Sequence, residues 1–498
     1  MRSSRLKRTL TLAAALVLLP AAVVLARAAA YRPERNVPAR AADLAVDEAK
    51  VADHLARAIR IQTISSEATG PAPVEAFTAL HAALAEMFPR AHQALRREVV
   101  AERSLLYTLE GSDPALEPVL LLAHLDVVGV EAGTEGQWKH PPFAGTVADG
   151  SVWGRGSRDD KLGAVSILQA VELLLEQGFK ARRTVHLAFG HDEELGGHRG
   201  AGELAKLLKS RGVRPLLVLD EGMTLTQGMA PGIDAPVALI GVAEKGCVNV
   251  ELVARAEGGH SSIPPPRTAI GALSRAIARL EDHPMPRHLD GPIRPLLDAL
   301  GPEMGFGNRV VFANRWLFGP LVERRLSAKP TSDALLHTTN AATIFEAGVK
   351  RSALPQQARA IVNFRILPGD SVASVLQHVR EVVDDPGISL TALQESQVEP
   401  TPLSDTSATG YRLIERSLRE VIPGVVVAPS LFMGRSDSRY YMELSPHVYR
   451  FSPQRLLPGE TSQFHGPGEH ISLASLAEGV RFFAQLIRHS SSTEDVHP

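Results

Sequence analysis

Two polar residues that could act together, His124 and Asp126, follow an apolar stretch at the end of a predicted strand. Residues two apart in a strand project from the same face, so this carboxylate can orient the imidazole. An aspartate behind a metal-bound histidine fixes the tautomer of the ring and raises its basicity. By itself the pair is weak evidence, and two ordinary polar residues at a strand end are the favoured interpretation.

Two further pairs of carboxylates lie downstream. The sequence GRGSRDDK places Asp159 and Asp160 after two glycines, although aspartate is also favoured at a helix N-terminus. Glu193 and Glu194 follow an apolar predicted strand, and adjacent carboxylates are difficult to ionise together unless a cation compensates. A solvent-exposed loop is the alternative for this second pair.

Two more candidates complete the set of potential metal ligands. Asp220, in LVLDEG, ends an apolar strand, and His465 lies in FHGPGEH, where His470 is the competing imidazole. The chain has one cysteine, Cys247, which excludes zinc sites built on two or more thiolates. Few purely structural roles require all of these residues, so the sequence predicts a metal site of histidines and carboxylates.

Length and composition describe an ordinary globular protein. The chain has 498 residues, which at roughly 150 residues per domain suggests two or three domains. Its formal charge of -2 gives no long-range positive field, so nucleic acid is excluded as a partner. Hydrophobic residues make up 44% of the chain and charged residues 22%. This composition is too apolar for a disordered chain and contains too many charged residues for a multi-span membrane protein.

Helical and strand-like segments alternate from residue 45 onward, which predicts an α/β fold with a mostly parallel sheet. The candidate ligands follow its strands, where open α/β sheets bind their ligands. We expect a catalytic domain at 45–244 and 399–490, interrupted by a two-layer α+β domain at 245–398. Within the insertion, residues 283–340 show little periodicity and are interpreted as an elaboration.

Residues 1–30 predict a signal peptide or a membrane anchor, because a basic cluster precedes an apolar run from Leu10 to Ala26. Small residues at the end of this run suit cleavage, whereas its length of 17 residues approaches that of a spanning helix. Both alternatives imply an exported, periplasmic or otherwise extracytoplasmic protein. A buried core helix is disfavoured, because the flanking sequence offers it nothing to pack against.

Seven motifs together resemble one hydrolase family. In chain order they are LLAHLDVV, GRGSRDDKLG, HDEELGG, LDEG, EGGHSSIP, AIVNFRILPGD and FHGPGEH. This series is similar to the co-catalytic dizinc peptidases and amidohydrolases, the family of Gly-X carboxypeptidase, aminoacylase, carnosinase and desuccinylase. The resemblance covers nearly everything after residue 45. The exported start and the long insertion most resemble the Gly-X carboxypeptidase and secreted N-fatty-acyl-amino-acid hydrolase/synthase branches.

The resemblance implies two zinc ions per subunit, with Asp159 bridging them. The remaining ligands would be His124 and Asp220 on one ion and Glu194 and His465 on the other. Glu193 would be the general base that activates a water between the metals, and Asp126 would support His124. The Asp159–Asp160 peptide is expected to be cis.

The resemblance also implies roles for residues away from the metals. His260, in GGHSSIP, would reach the active site of a partner subunit and stabilise the tetrahedral oxyanion, which implies a homodimer. Arg365, in VNFR, would bind the free carboxylate of the substrate through its bidentate fork. Gly434 and Ser436, in GRSDSR, would face the substrate. Without the motifs, His260 and Arg365 would be interpreted as a loop histidine and a surface arginine.

Two positions depart from the family pattern. Ser352 stands where an asparagine is usual, and His337 replaces an arginine common before the paired threonines. The sequence therefore predicts a zinc-dependent hydrolase of an amide next to a free carboxylate, in a dipeptide or an N-acyl amino acid. The alternatives are a narrower deacylase or desuccinylase, or a catalytically silent receptor for metal or peptide, although a receptor would not need Glu193.

Overall fold

The computed structural model describes residue 16 and residues 18–33 and 44–492. The basic cluster and the start of the apolar run predicted as a signal or anchor lie outside these residues. Within them, the strands of the two main sheets are β1 Arg96–Val100, β2 Ser104–Leu109, β3 Val119–His124, β4 Val185–Gly190, β5 Leu217–Thr226, β6 Val237–Glu244, β7 Gly246–Arg255, β8 Thr339–Ala347, β9 Gln357–Ile366, β10 Ile388–Ala392, β11 Val426–Phe432 and β12 Val448–Leu456.

The helices of the described residues are numbered in the same way. They are α1 (residues 18–30), α2 Glu48–Arg60, α3 Val74–Met87, α4 Pro89–Ala94, α5 Lys161–Glu176, α6 Ala201–Ser210, α7 Ala269–Asp282, α8 Arg294–Leu300, α9 Phe306–Ala313, α10 Arg315–Ser327, α11 Pro330–Asp333, α12 Val372–Val383, α13 Thr409–Val421 and α14 Leu473–Ser490.

The chain forms two compact units. One comprises Glu34–Val242 and Ser404–Pro498, and the other comprises Ala243–Leu403 together with the N-terminal segment up to Pro33. The sequence analysis placed the boundaries of the insertion at 245 and 398. It did not expect the N-terminal segment to belong with the inserted unit.

The first unit is built on an eight-stranded sheet in the order β11-β6-β12-β5-β3-β4-β2-β1. Its four central strands, β12, β5, β3 and β4, run parallel, and antiparallel strands flank them. Every residue of β3 and β4 is buried, as expected for strands covered on both faces by helices. The predicted α/β class with a mostly parallel central sheet is confirmed.

The inserted unit contains a four-stranded antiparallel sheet in the order β8-β9-β7-β10. Helices α7 and α12 bury their apolar sides against it and form a second hydrophobic core. This is the two-layer α+β arrangement expected from the sequence. Residues 283–340, which lacked clear periodicity, form a series of short helices, and Gly301, Gly305 and Pro330 stand at boundaries between them.

The sequence argument that an N-terminal helix would find nothing to pack against was wrong. The side chain of Asn314 donates a hydrogen bond to the carbonyl of Val24 at 3.0 Å, and Arg27 donates to Ala313 at 3.2 Å. Ala28 is fully buried. Across the described residues, the structure contains no helix with the length and hydropathy needed to cross a membrane.

Candidate metal centre

The candidate site lies at the carboxyl ends of the central parallel strands. His124 is the last residue of β3 and is level with Gly190, the last residue of β4. A short 3₁₀ turn, Glu193–Leu195, follows β4. The parallel pairing therefore brings the turn that carries both glutamates to the histidine at the neighbouring strand end.

Asp159 lies between the two predicted histidine ligands. Its Oδ1 is 2.9 Å from Nε2 of His124, and its Oδ2 is 3.1 Å from Nε2 of His465. Glu194 Oε2 is 3.2 Å from the same nitrogen of His465. A carboxylate that offers one oxygen to each of two histidines has the arrangement required of a ligand shared by two metal ions.

Two groups of possible ligand atoms meet at His124. In one group, its ring lies with Asp159 and Glu194, and in the other with Glu193 and Glu221, with all ligand atoms of a group within 4.8 Å of one another. The structure therefore brings together His124, Asp159, Glu194 and, through the contacts above, His465.

The structure also places Glu221, which the sequence analysis did not name, next to His124. Glu221 Oε1 is 3.6 Å from Nε2 of His124. The two acids are consecutive in β5, and the pairing of β5 with β12 shifts register directly after Asp220. Both stand in the LDEG motif, and the strand register needed to choose between them is not readable from the sequence.

Asp126 connects the histidine to the turn that carries the proposed base. Its backbone carbonyl is 3.0 Å from Nδ1 of His124, and its Oδ1 is 3.4 Å from the same nitrogen. The carboxylate also accepts hydrogen bonds from the backbone N–H groups of Glu193 and Glu194, at 3.2 and 3.4 Å. One buried aspartate thus positions both His124 and the turn that carries Glu193 and Glu194.

Asp160 has a role separate from that of Asp159. Its side chain is the N-cap of α5 and accepts a hydrogen bond from the backbone N–H of Gly163 at 3.0 Å. The Asp159–Asp160 peptide is cis, as expected. Asp160 is therefore the helix cap of this acid pair, and Asp159 is its candidate metal ligand.

The electrostatics of the cluster favour a cation. Burial raises the pKa of Glu193 well above its usual range, and the neighbouring acids Asp437 and Glu194 add to the effect. Burial and the charge of Asp159 likewise raise the pKa of Glu221. Hydrogen bonds to Asp159 and Glu194 raise the pKa of His465 to about 10. Positive charge at this position would let the acids ionise together.

The donor atoms fit zinc. Glu194 Oε1 is buried and has no hydrogen-bond partner among the described residues, so it is available as a ligand. Imidazole nitrogens and carboxylate oxygens are ordinary zinc ligands, and an all-nitrogen-and-oxygen set agrees with the single, remote cysteine. Bound there, zinc would act as a Lewis acid, lowering the pKa of water and polarising a carbonyl.

Glu469 organises the glycine-containing loop that precedes Asp159, and the sequence analysis missed it. Fully buried, its carboxylate accepts hydrogen bonds from the backbone N–H groups of Gly156 and Arg158, at 3.0 and 2.8 Å. The side chain of Arg155 is paired with the same carboxylate. Burial raises the pKa of Glu469 to about 7. The GE dipeptide of FHGPGEH was its only signal.

His470, the competing imidazole, is occupied elsewhere. Its ring stacks on Trp153 with 4.0 Å between the ring centroids, and its Nδ1 is 2.9 Å from the carbonyl of Gly468. His465 has a backbone φ of +58°, a left-handed conformation uncommon for a residue other than glycine. That conformation belongs to the turn that carries the ring to Asp159 and Glu194.

The GRSDSR loop is organised by its own side chains. Ser436 is buried, is the N-cap of the 3₁₀ turn Asp437–Tyr441, and donates to the hydroxyl of Ser438 at 2.9 Å. Gly434 is partly exposed. The predicted substrate contact of Ser436 stays a prediction, and the structure shows that its hydroxyl stabilises the loop.

In the inserted unit, Arg365 has a cationic neighbour that sequence reasoning missed. Burial lowers the pKa of Lys245 to about 8, and the charge of Arg365 contributes to the shift. Lys245 Nζ donates to the carbonyl of His337 at 2.9 Å. Among the described residues, none forms an ion pair or hydrogen bond with the guanidinium of Arg365. Two adjacent cations are therefore available to an anion.

His260 lies in a short exposed pairing of Gly259–His260 with Ala353–Leu354. Its Nδ1 is 2.7 Å from the hydroxyl of Ser262. The unusual Ser352 contributes its backbone carbonyl, which accepts from the N–H of Ser261 at 3.1 Å. Replacement of asparagine by serine at 352 thus leaves this backbone contact available, whatever its side chain does.

Known proteins share both the sequence and the fold. The chain is 39% identical over 444 residues to the N-fatty-acyl-amino acid synthase/hydrolase PM20D1.1 of Danio rerio, covering 89% of this chain and 86% of that protein. It is 33% identical over 486 residues to carboxypeptidase S of Saccharomyces cerevisiae, covering 87% and 83%.

The fold matches that of an M20 family metallo-carboxypeptidase from Sulfolobus solfataricus, with a TM-score of 0.65, 18% identity, and coverage of 90% of this chain and 100% of that one. It also matches the dinuclear metal-binding peptidase YXEP of Bacillus subtilis, with a TM-score of 0.56, 15% identity, and coverage of 89% and 99%. The sequence profile of peptidase family M20/M25/M40 matches residues 120–489. The chain therefore belongs to peptidase family M20/M25/M40 and is a metallohydrolase.

Proposed function

We propose that this chain is an exported, zinc-dependent enzyme that hydrolyses amide bonds next to a free carboxylate. The observation that carries the proposal is the position of Asp159 between His124 and His465, with Glu194 and Glu193 beside them. Similarity to a carboxypeptidase and to an N-fatty-acyl-amino acid synthase/hydrolase supports it. Both names imply a substrate in which an amide bond joins an amino acid to an acyl group or a peptide.

The ligands proposed for two zinc ions are His124, Asp159, Glu194 and His465, with a carboxylate from the Asp220–Glu221 pair as the fifth ligand. The resemblance favours Asp220 for this position, and the geometry favours Glu221. Glu193 is the proposed base, because the hydrogen bonds that the backbone N–H groups of its turn donate to Asp126 fix its position. A base with a raised pKa can accept the proton of water and return it to the leaving amine.

The free carboxylate of the substrate is assigned to Arg365. A guanidinium without an internal ion pair can form two parallel hydrogen bonds to a carboxylate. Lys245 adds positive charge beside it, so the pair favours an anion over a neutral group. Dipeptides and N-acyl amino acids both present such a carboxylate.

A homodimer is part of the proposal. Strand β8 is an edge strand of the inserted sheet, and Ala341–Ala347 are exposed, including the apolar side chains of Ile344 and Phe345. Exposed, apolar edge strands commonly pair with another chain. His260, also exposed on this unit, is then available to a partner subunit.

The proposal is tested with purified, zinc-loaded full chain against dipeptides, N-acyl amino acids of increasing acyl length and N-succinyl substrates. Each substrate is compared with its C-terminal amide. We expect hydrolysis that is lost with a chelator, is restored by zinc, and strongly prefers the free acids. In Arg365→Ala the preference for the acids should largely disappear, whereas Arg359→Ala, in an exposed ion pair on the same strand, should retain it.

Equal loss of kcat/KM for acids and amides in Arg365→Ala would contradict the assigned carboxylate site. Activity only on succinylated substrates would favour the narrower desuccinylase. Export is tested by fractionation with protease protection, and soluble cytoplasmic protein would contradict it.

A further inference from the structure

The N-terminal helix α1 packs on the inserted unit through one face. Val24, Ala28 and Tyr31 recur on that face at helical spacing, and they are partly or fully buried. The hydroxyl of Tyr31 donates to the carbonyl of Leu297 at 3.2 Å. Asn314, which binds the carbonyl of Val24, is fully buried. Removal of α1 as a signal peptide would expose this contact surface.

The other side of α1 is apolar and exposed. Its exposed large side chains include Leu18, Leu19, Val23 and Leu25. Helix α9, whose last residue Ala313 contacts α1, and helix α10, which follows it, also expose large apolar side chains, namely Phe306 on α9 and Trp316, Leu317 and Leu321 on α10. Exposed apolar residues clustered in this way mark a site of protein or membrane association.

The positive charge of α1, α9 and α10 favours an anionic partner. The charged residues of 18–33 are Arg27 and Arg32, and residues 304–329 contain five Lys or Arg and one acid, Glu323. The whole chain has a formal charge of -2, so the positive charge is concentrated here. On α10, the uncharged stretch 316–322 precedes Arg324 and Arg325, which are both exposed.

Apolar residues, a tryptophan and flanking basic residues on one surface are typical of helices that lie in the interface of an anionic membrane. A second copy of the chain would place these positive segments against each other, which the charge disfavours. We propose that α1 is retained in the mature protein and that α1, α9 and α10 form one surface that binds an anionic lipid bilayer.

The test uses the fluorescence of Trp316, one of three tryptophans in the chain. Full-length protein is mixed with vesicles of brominated phosphatidylcholine and phosphatidylglycerol, and quenching is measured. We expect Trp316→Phe to lose most of the quenching. We also expect Leu321→Glu to weaken it and Leu457→Glu to leave it unchanged. Leu457 is the matched control, because it is 45% exposed, as Leu321 is, and lies in the other unit.

Quenching should also fall in vesicles without phosphatidylglycerol, and N-terminal sequencing of protein isolated from cells should find α1 intact. The proposal is overturned if Trp316→Phe and the wild type are quenched equally, because the quenched residues would then be Trp138 and Trp153, which lie in the other unit. A mature N-terminus near Ala29 or Tyr31 also overturns it. A third result would also overturn it: the protein sediments as a dimer without lipid, Leu321→Glu dissociates that dimer, and vesicles cause no quenching. The surface would then bind a second copy of the chain.

Discussion

At the residue scale, we expect two consecutive glutamates to have different roles, Glu194 as a metal ligand and Glu193 as the base. Glu194 contacts His465, whereas Glu193 lies near His124 and Glu221. We expect Glu193→Gln to retain both metals and to lower turnover by roughly 10² to 10⁴, the usual contribution of a general acid or base. Metal content and turnover are to be measured on the same sample. Near-full activity would show that Glu193 is not the base.

The choice between Asp220 and Glu221 is tested by removing one negative charge at a time. Because Glu221 Oε1 lies 3.6 Å from Nε2 of His124, we expect Glu221→Gln to lower zinc affinity more than Asp220→Asn. Competition with a chromophoric chelator measures both affinities. The reverse order would assign the ligand to Asp220, as the resemblance implies.

At the element scale, the loop that carries Asp159 depends on Glu469. Glutamine offers one oxygen acceptor in place of two, so Glu469→Gln cannot satisfy Gly156, Arg158 and Arg155 together. Residues that hold metal ligands in place typically account for 10- to 100-fold in affinity or activity, and we expect a loss of about that size.

The matched control for this variant is Glu460→Gln. Glu460 is paired with the same Arg158, at 3.0 Å, but it lies nearer the surface. A chelator titration should therefore show a much smaller loss for Glu460→Gln. Equal losses in the two variants would mean that the charge of Arg158, rather than the backbone contacts of Glu469, controls the loop.

At the scale of the whole molecule, the proposed dimer predicts complementation between two inactive variants. Mixed dimers of His260→Ala and Glu193→Gln should contain one site that combines an intact Glu193 with an intact His260 of the partner subunit. Activity should recover towards one working site per mixed dimer. Subunit exchange without recovery, or an active monomer in sedimentation, would place His260 in its own subunit or outside catalysis.

Acid stability is a second whole-molecule property. Burial lowers the pKa of His81 and of His186 to about 4, so the folded chain keeps both rings neutral below their ordinary value of 6.5. Between these values the unfolded chain binds more protons, and the free energy of unfolding therefore decreases as the pH falls. Each ring contributes at most about 1.4 kcal/mol per pH unit.

We expect His186→Asn to make this decrease shallower, because it removes one of the two groups. Urea unfolding at several pH values across the window measures the slope. His283→Asn, at an exposed histidine of the inserted unit, is the control and should leave the slope unchanged. An unaltered slope in His186→Asn would mean that its ring is protonated in the folded chain.

The sequence by itself determined the family, the α/β class and the main candidates at the strand ends. This was possible because a parallel sheet gathers the residues that follow its strands, and because the seven motifs appear in one order. His124, Asp159, Glu194 and His465 could be named in this way, and the structure brings them together.

Only the tertiary structure decided which neighbour of an equivalent pair faces the site. His465 was separated from His470 by the direction of one turn, which two imidazoles close together in the sequence do not reveal. Glu469 and Lys245 escaped notice because their partners are distant in the sequence. The packing of α1 on the inserted unit was likewise invisible, since the residues that receive it carry no periodic pattern of their own.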